Sequence, residues 1–194
     1  MKDQVLIVPV SYIKFDDGFT GNFTIKTKDS YMLYDSIGVY KPLRDIEKKI
    51  CFIRISVLNL IKDQDNRYLV KELTDKTQRP CIELGLNSYV KSYSGNYKAL
   101  YNQLRHISSI HFNQKLDYSF IGNIRDLTNK NVKSILGCIY YSEVDSSTFI
   151  EENNKMYEYK WYTVKELIDV YNKATSWSKI IIDLLVDDSI KDYI

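Results

Sequence analysis

Two histidines, His106 and His111, are the side chains of this sequence best suited to proton transfer or to binding a transition metal. No CxxC pair accompanies them, so the sequence lacks the clustered ligands of a structural zinc site. His106 suits a soft-metal ligand or a general base, but a histidine on the outer face of a helix is more commonly a solvated side chain. Neither histidine alone predicts an activity.

The three cysteines, Cys51, Cys81 and Cys138, are widely spaced and lie in apolar or strand-like surroundings. Their odd number and their spacing disfavour a disulfide framework. We expect reduced thiols in the core and no metal bound through cysteine.

Basic side chains could hold a phosphate without a metal ion. The candidate ligand-binding residues are Arg54, Lys71, Lys91 and Arg105. Lysine and arginine on a sheet edge or a helix face are more commonly solvated, and that interpretation competes with a binding role. The net charge of +2 gives no polyanion-binding signature, so we expect no nucleic-acid partner.

The elements that position these side chains form one folding unit, because 194 residues suit a single domain with a substantial core. We expect one domain over residues 1–194, with residues 1–50 as an N-terminal extension packed on it. No apolar run is long enough for a membrane span, and the N-terminus lacks a signal-peptide pattern. The sequence therefore predicts a cytoplasmic protein without a membrane partner.

A β-branched run over 51–61, a polar turn over 63–66 and a return strand over 67–73 predict a β-hairpin. Further strands are predicted at 5–10, 81–90, 118–124, 134–144 and 160–162. We expect an aromatic-rich loop or short hairpin over 15–25, a mostly helical or irregular lead-in over 31–50 and a turn over 126–131.

A helix is predicted from Tyr97 to Ser108, because Tyr97, Leu100, Leu104 and Ile107 make one apolar stripe. A second helix is predicted to begin after the N-cap Thr163, which forms a capping box with Glu166, and to run to about residue 171. A third helix is predicted over 177–186, with Ser176 as its N-cap. We expect Trp161 and Trp177 to pack these helices onto the sheet. Strands with interspersed helices favour an α/β or α+β sandwich with a mixed sheet.

This order of elements resembles the Nudix fold. The sequence resembles in particular a bacterial Nudix subgroup labelled phosphoesterases. This resemblance is carried by segments 5–9 with 19–21, 40–44, 160–167 and 176–180. The resemblance covers nearly the whole chain and implies a Nudix-like α/β/α sandwich with a mixed β-sheet.

The family's chemistry depends on a box reading G-x5-E-x7-R-E-U-x-E-E-x-G-U, with U a bulky aliphatic residue, whose glutamates hold magnesium ions. The box aligns with this sequence without gaps when the alignment is anchored on Gly85. The first and last glycines of the box then correspond to Ser88 and Ser109, and its arginine corresponds to Asn102. Its glutamates correspond, in chain order, to Ser94, Gln103, His106 and Ile107. Only the aliphatic positions remain, as Leu104 and Ile110.

In this pattern the aliphatic positions of the box, which pack the helix, are kept, whereas the positions that bind metal are not. Magnesium prefers carboxylate oxygens, and serine, glutamine, histidine and isoleucine do not replace them. Without the ion, the diphosphate loses charge neutralisation and the attacking water loses its activation. We therefore expect no catalytic residue in the box, no metal and no cofactor.

Three hypotheses remain open. The first is a catalytically degenerate Nudix-fold protein that acts by binding, either as a sensor of a nucleotide-like ligand or as a module for a protein partner or a homodimer. The second is a divergent hydrolase of nucleotide derivatives that uses acidic residues outside the box, for which the candidates are Glu72, Glu83, Glu143 and Glu158. The third is a subunit of a larger defence or regulatory assembly, which would expose a large apolar patch.

Overall fold

The computed structural model describes residues 4–9, 23–24, 37–42, 46, 52–74, 81–95, 98–126, 134–150 and 156–194. The chain divides into two compact units. The first comprises Met1–Leu58, Asn87–Leu104 and Phe120–Ile139, and the second Asn59–Leu86, Arg105–Ser119 and Tyr140–Ile194. Most of the predicted segments 15–25, 31–50 and 126–131, as well as Cys51 and Tyr97, lie outside the described residues. The prediction of one domain with an N-terminal extension stays a prediction.

The strands are β1 (Gln4–Pro9), β2 (Phe23–Thr24), β3 (Val39–Pro42), β4 (Phe52–Asp63), β5 (Tyr68–Leu73), β6 (Ile82–Leu84), β7 (Leu86–Tyr89), β8 (Ser119–Ile124), β9 (Ile135–Val144) and β10 (Tyr157–Tyr162). The α-helices are α1 (Ala99–His111), α2 (Val164–Asp169) and α3 (Ser176–Val186). The fold is α/β with a mixed sheet, which confirms the predicted class. No helix in the described ranges is long and apolar enough to cross a membrane.

Within the first unit, β1 pairs antiparallel with β3 and with β4. Strands β4, β9, β8 and β2 follow one another across the sheet, and Arg54 N donates to Ser134 O at the start of β9. The core cluster beside β1 consists of Val5, Ile7 and Ile46, with Phe52 and Tyr89 packed against it.

Within the second unit, β5 pairs antiparallel with β4, β6 and β10. Helix α3 is joined to β6 by two hydrogen bonds. Leu84 N donates to Ser178 Oγ at 2.9 Å, and Thr175 N donates to Ile82 O at 2.9 Å. The sheet and the last helix of this unit are therefore connected by polar contacts at the edge of the sheet.

The predicted β4–β5 hairpin is confirmed, and the buried side chain of Asp63 holds its turn. Asp63 Oδ1 accepts hydrogen bonds from the main-chain N–H groups of Asp65 and Arg67, at 3.0 and 2.8 Å. Its Oδ2 accepts from Arg67 Nε at 2.9 Å. Asn66 takes a φ of 58°, a left-handed conformation that asparagine tolerates better than most residues.

Two predicted segments differ from the structure. The strand expected over 81–90 is divided into β6 and β7 at Gly85, which has a φ of 72°. A Cβ at this position would lie 2.2 Å from the carbonyl oxygen of Asn59, so the close approach requires glycine. Within the lead-in over 31–50, expected to be mostly helical or irregular and broken at Lys41–Pro42, residues 39–42 instead form strand β3 and pair with β1.

The predicted caps are partly confirmed. Thr163 begins α2 with a complete capping box, in which Glu166 N donates to the threonine hydroxyl and the glutamate accepts from Thr163 N. The prediction of Ser176 as the cap of α3 is wrong. Thr175 has the extended backbone of an N-cap and accepts from Ser178 N, so the cap lies one residue earlier.

Helix α1 follows the predicted apolar stripe. Its buried apolar residues are Ala99, Leu100, Leu104 and Ile107, and Gln103, Ser108 and His111 are also buried. The helix begins at Ala99 and ends at His111. Its start lies two residues after the predicted start, and its end lies three residues after the predicted end. The polar side chains on its buried face require hydrogen-bond partners.

Leu104 is 0% exposed, so Leu104→Ala should remove about 2 to 5 kcal/mol from the free energy of unfolding. The matched control on the same helix is Ile110→Ala, because Ile110 is 50% exposed, and it should change stability by no more than about 0.5 kcal/mol. Urea denaturation followed by circular dichroism measures both. Equal effects of the two substitutions would mean that the helix packs through another face.

Candidate functional site

The candidate site is built from the segment after β7 and the first half of α1, all within the first unit. After β7, residues Ser92–Ser94 form a 3-10 turn, and Gly95 closes it with a φ of 75°. This turn buries Ser94. Tyr40 on β3 donates from its hydroxyl to Gly95 O at 2.6 Å and holds the turn from the other side.

The fully buried amide of Gln103 is the centre of this arrangement. Its Oε1 accepts hydrogen bonds from the main-chain N–H of Lys91 at 3.1 Å and from the hydroxyl of Ser94 at 2.7 Å. Its Nε2 donates to Ser88 Oγ at 3.2 Å and to Tyr93 Oη at 2.9 Å. Both lone pairs of the oxygen and both N–H groups of the nitrogen therefore have partners.

Asn102 adds a second connection between the helix and the turn, because its Nδ2 donates to Ser94 O at 2.9 Å. The structure thus brings together Ser88, Ser94, Asn102 and Gln103, four of the residues that the sequence register places at box positions. Their contacts are those of a structural cluster, in which side chains satisfy each other and the main chain of the turn.

The remaining box positions lie in the second unit. His106 is exposed, Ile107 is buried, and Ser109 is exposed and donates from its hydroxyl to His106 O at 2.8 Å. His106 thus has the outward position of a solvated helical histidine. His111, at the end of the helix, is buried, and its Nε2 lies 3.4 Å from Tyr159 Oη.

Among the predicted phosphate-binding residues, Arg54 and Lys71 contact neighbours in their own unit. In the first unit, Arg54 Nη2 donates to Ser134 Oγ at 2.7 Å, and its guanidinium lies 5.6 Å from the ring centre of Tyr89. In the second unit, Lys71 lies 3.3 Å from Glu83 Oε2 and 4.5 Å from the ring centre of Tyr157.

Lys91 is half-buried beside the Gln103 cluster, and Arg105 is exposed on α1. The assignment of Arg54, Lys71, Lys91 and Arg105 to ligand binding stays a prediction.

The four acidic candidates outside the box, Glu72, Glu83, Glu143 and Glu158, lie in the second unit, and two of them converge. Glu158 and Glu72 stand opposite each other in the β5–β10 register. Lys160 lies 2.5 Å from Glu158 and 2.7 Å from Glu72, and Tyr162 donates to Glu72 at 2.5 Å. Burial would raise the pKa of Glu72, but the hydrogen bonds from Lys160 and Tyr162 outweigh it and lower that pKa below its usual value.

The other two acidic candidates are also paired with lysine. Glu83 contacts Lys71. Glu143 accepts from the Tyr141 hydroxyl at 2.6 Å and contacts Lys62 at 3.2 Å, and these hydrogen bonds lower the pKa of Glu143. A carboxylate with a lowered pKa is a weaker base, so Glu143 resembles a member of a structural ion pair more than a general base. In the described part of the chain, no three His, Cys, Asp or Glu side chains are grouped to hold a metal ion.

A polar cavity of about 350 Å³ lies in the second unit beside the β4–β5 turn and the end of β9. Its lining includes Lys62, Gln64, Gln114 and Glu143. The volume is at the lower end of the range for small-ligand pockets. The cavity therefore suits a small polar molecule or part of a larger one.

Solved structures are similar to this chain over most of its length. The crystal structure of Tm1382, "a putative Nudix hydrolase", superposes with a TM-score of 0.77 at 18% identity, over 95% of this chain and 98% of that one. The chain has a Nudix-like fold.

Two further solved structures are less similar to this chain. The MutT protein from Methanosarcina mazei Go1 matches with a TM-score of 0.54 at 11% identity, over 71% of this chain and 95% of that one. The DR0079 protein from Deinococcus radiodurans matches with a TM-score of 0.50 at 14% identity, over 67% of this chain and 81% of that one. No family model matches the sequence, and no curated protein matches it significantly.

Sequence reasoning missed two features of these regions. The Tyr93 hydroxyl accepts a hydrogen bond from Gln103 Nε2, and nothing in the local sequence marks it for that role. An aromatic cluster also surrounds His111 in the second unit, with ring-centre distances of 5.9 Å to Phe149 and 4.9 Å to Tyr159. The alternation of aromatic and charged residues over 157–161 could have shown that strand β10 starts before residue 160. Trp161 is half-buried in β10, 6.1 Å from the ring of Phe149, and Trp177 is half-buried in α3.

Replacing Gln103 by leucine should destabilise the protein, because Lys91 N and the surrounding hydroxyls would lose a buried partner. We expect a loss of roughly 1 to 3 kcal/mol in the free energy of unfolding. His106→Leu, on the exposed side of the same helix, is the control and should stay within about 0.5 kcal/mol of the parent protein. Thermal and urea unfolding give both values. The hydrogen-bonded cluster has no stabilising role if Gln103→Leu costs no more than the control.

Proposed function

We propose that this Nudix-fold protein acts by binding a nucleotide-like ligand without metal-dependent hydrolysis at the box helix. The observation that carries the proposal is the position of Gln103. In the sequence register it replaces a metal-binding glutamate, and in the structure its amide is fully buried and hydrogen-bonded at both ends. Such an amide supports the turn after β7 and has no lone pair left for a cation.

The other box positions support the same proposal. Ser94 is buried and directs its hydroxyl to Gln103, and Ile107 is buried and apolar. Magnesium requires several hard oxygen ligands in near-octahedral order. Neither side chain supplies a carboxylate, so a metal-activated water has no evident support at these positions.

The proposed ligand class is supported by the likeness to Tm1382, named "a putative Nudix hydrolase", and by the polar surroundings of two lysines. Lys91 follows β7 next to the Gln103 cluster, and Lys62 lines the polar cavity of the second unit. Lysine binds phosphate oxygens as a point charge and needs no metal ion to do so. A nucleotide held in this way would be bound intact.

The purified protein should not hydrolyse nucleoside diphosphate derivatives above background when magnesium or manganese is added. Phosphate release and chromatography of the nucleotide products measure this result. Metal-dependent turnover that disappears when an acidic residue outside α1 is changed, for example in Glu143→Gln, would contradict the proposal and favour the divergent hydrolase.

Nucleotides and dinucleotides should raise the melting temperature equally with and without magnesium. A ligand at about 100 times its dissociation constant adds roughly 2.7 kcal/mol to stability, which a thermal-shift assay detects. Lys91→Ala and Lys62→Ala form a matched pair. Loss of the shift in the first places the ligand beside the box, and loss in the second places it in the cavity. No shift with any nucleotide would contradict the proposed ligand class.

A further inference from the structure

Strand β10 has two chemically different faces. Tyr157, Tyr159 and Trp161 alternate with Glu158 and Lys160, so aromatic rings occupy one face and charges the other. In the part of the second unit that the structure describes, the strand order runs β10, β5, β4, so β10 is the outermost of these strands. The side chains of Glu158 and Lys160 are 42% and 44% exposed.

The pairing with β5 fixes the direction of the main-chain groups of β10. Thr74 N donates to Met156 O at 2.8 Å, which makes Met156 and Thr74 a hydrogen-bonded pair. In an antiparallel ladder such pairs alternate with non-hydrogen-bonded ones. The main chain at 158 and 160 is therefore directed towards β5, and the main chain at 157, 159 and 161 is directed to the outer edge.

We propose that the outer edge of β10 pairs antiparallel with β10 of a second copy of this chain, about a two-fold axis at Tyr159. The edge position, the exposed charges and the aromatic face all belong to the same short strand. The inference concerns assembly and does not depend on the proposed function.

The charges select this register among those that the backbone allows. With the axis at Tyr159, Glu158 stands opposite Lys160 of the second copy, and Lys160 stands opposite its Glu158. An axis at residue 158 would place two glutamates opposite each other, and an axis at residue 160 would place two lysines. Like charges directly opposite are destabilising, whereas opposite charges stabilise a strand pair. A lone lysine on an edge strand opposes pairing, but this Glu–Lys spacing is self-complementary.

This register also places the aromatic side chains of the two copies opposite each other. Tyr159 faces its own copy across the axis, and Tyr157 faces Trp161, so aromatic side chains meet aromatic side chains. Apolar surface lies close to the strand: Met156 and Ile150 are 54% and 41% exposed, and Ile150 follows Phe149, whose ring contacts Trp161 at 6.1 Å. A second copy therefore meets apolar surface as well as the strand edge.

A reciprocal charge exchange tests the register. The parent protein should be a dimer by analytical ultracentrifugation, and Glu158→Lys and Lys160→Glu should each be monomeric, because like charges would then face each other. An equimolar mixture of the two variants should form a heterodimer, since every charged pair across the axis is again opposite. Circular dichroism and the melting temperature show that each variant is folded.

Lys160→Glu also removes the cation beside Glu72 and Glu158, so cysteine cross-linking provides a second test that keeps the fold. A mixture of Glu158→Cys and Lys160→Cys chains should form a disulfide-linked dimer on mild oxidation, because non-hydrogen-bonded pairs bring the two Cβ atoms close enough. Either variant alone should cross-link no more than the parent chain. The proposal is overturned by a parent protein that stays monomeric at high concentration, by folded charge variants that remain dimeric, or by folded variants that neither associate on mixing nor cross-link.

Discussion

The buried amide of Gln103 is the constraint on which the candidate site depends. A buried amide requires partners for its oxygen and its nitrogen, and here the oxygen takes the main chain of Lys91 and the hydroxyl of Ser94. These hydrogen bonds therefore fix the position of the turn after β7 relative to the buried face of α1. The same contacts that order the turn use both lone pairs of the amide oxygen.

The first half of α1 buries a polar side chain next to an apolar one. Leu104 is fully buried, and Gln103 immediately before it is polar but equally buried. A carboxylate in the place of Gln103 would face the high cost of a buried charge unless a cation accompanied it. An amide avoids that cost, so the cluster is stable without an ion.

Much of the fold could be predicted because it depends on local patterns. The β4–β5 hairpin follows from β-branched residues around a polar turn, and the α2 cap from Thr163 and Glu166. Strand β3 was missed because its partner, β1, is distant in the sequence. At the site, the absence of Asp and Glu between Asn96 and Ser109 was visible in the sequence, but the contact of Tyr93 with Gln103 depends on the turn and could not be derived from spacing.

Nuclear magnetic resonance of the Gln103 side-chain amide during a manganese titration tests the central claim most directly. Its two N–H signals should be resolved, should exchange slowly with water because the group is buried and hydrogen-bonded, and should keep their intensity as paramagnetic manganese is added. Selective loss of these signals at micromolar manganese, ahead of amides elsewhere in the chain, would place a metal ion beside Gln103 and contradict the account.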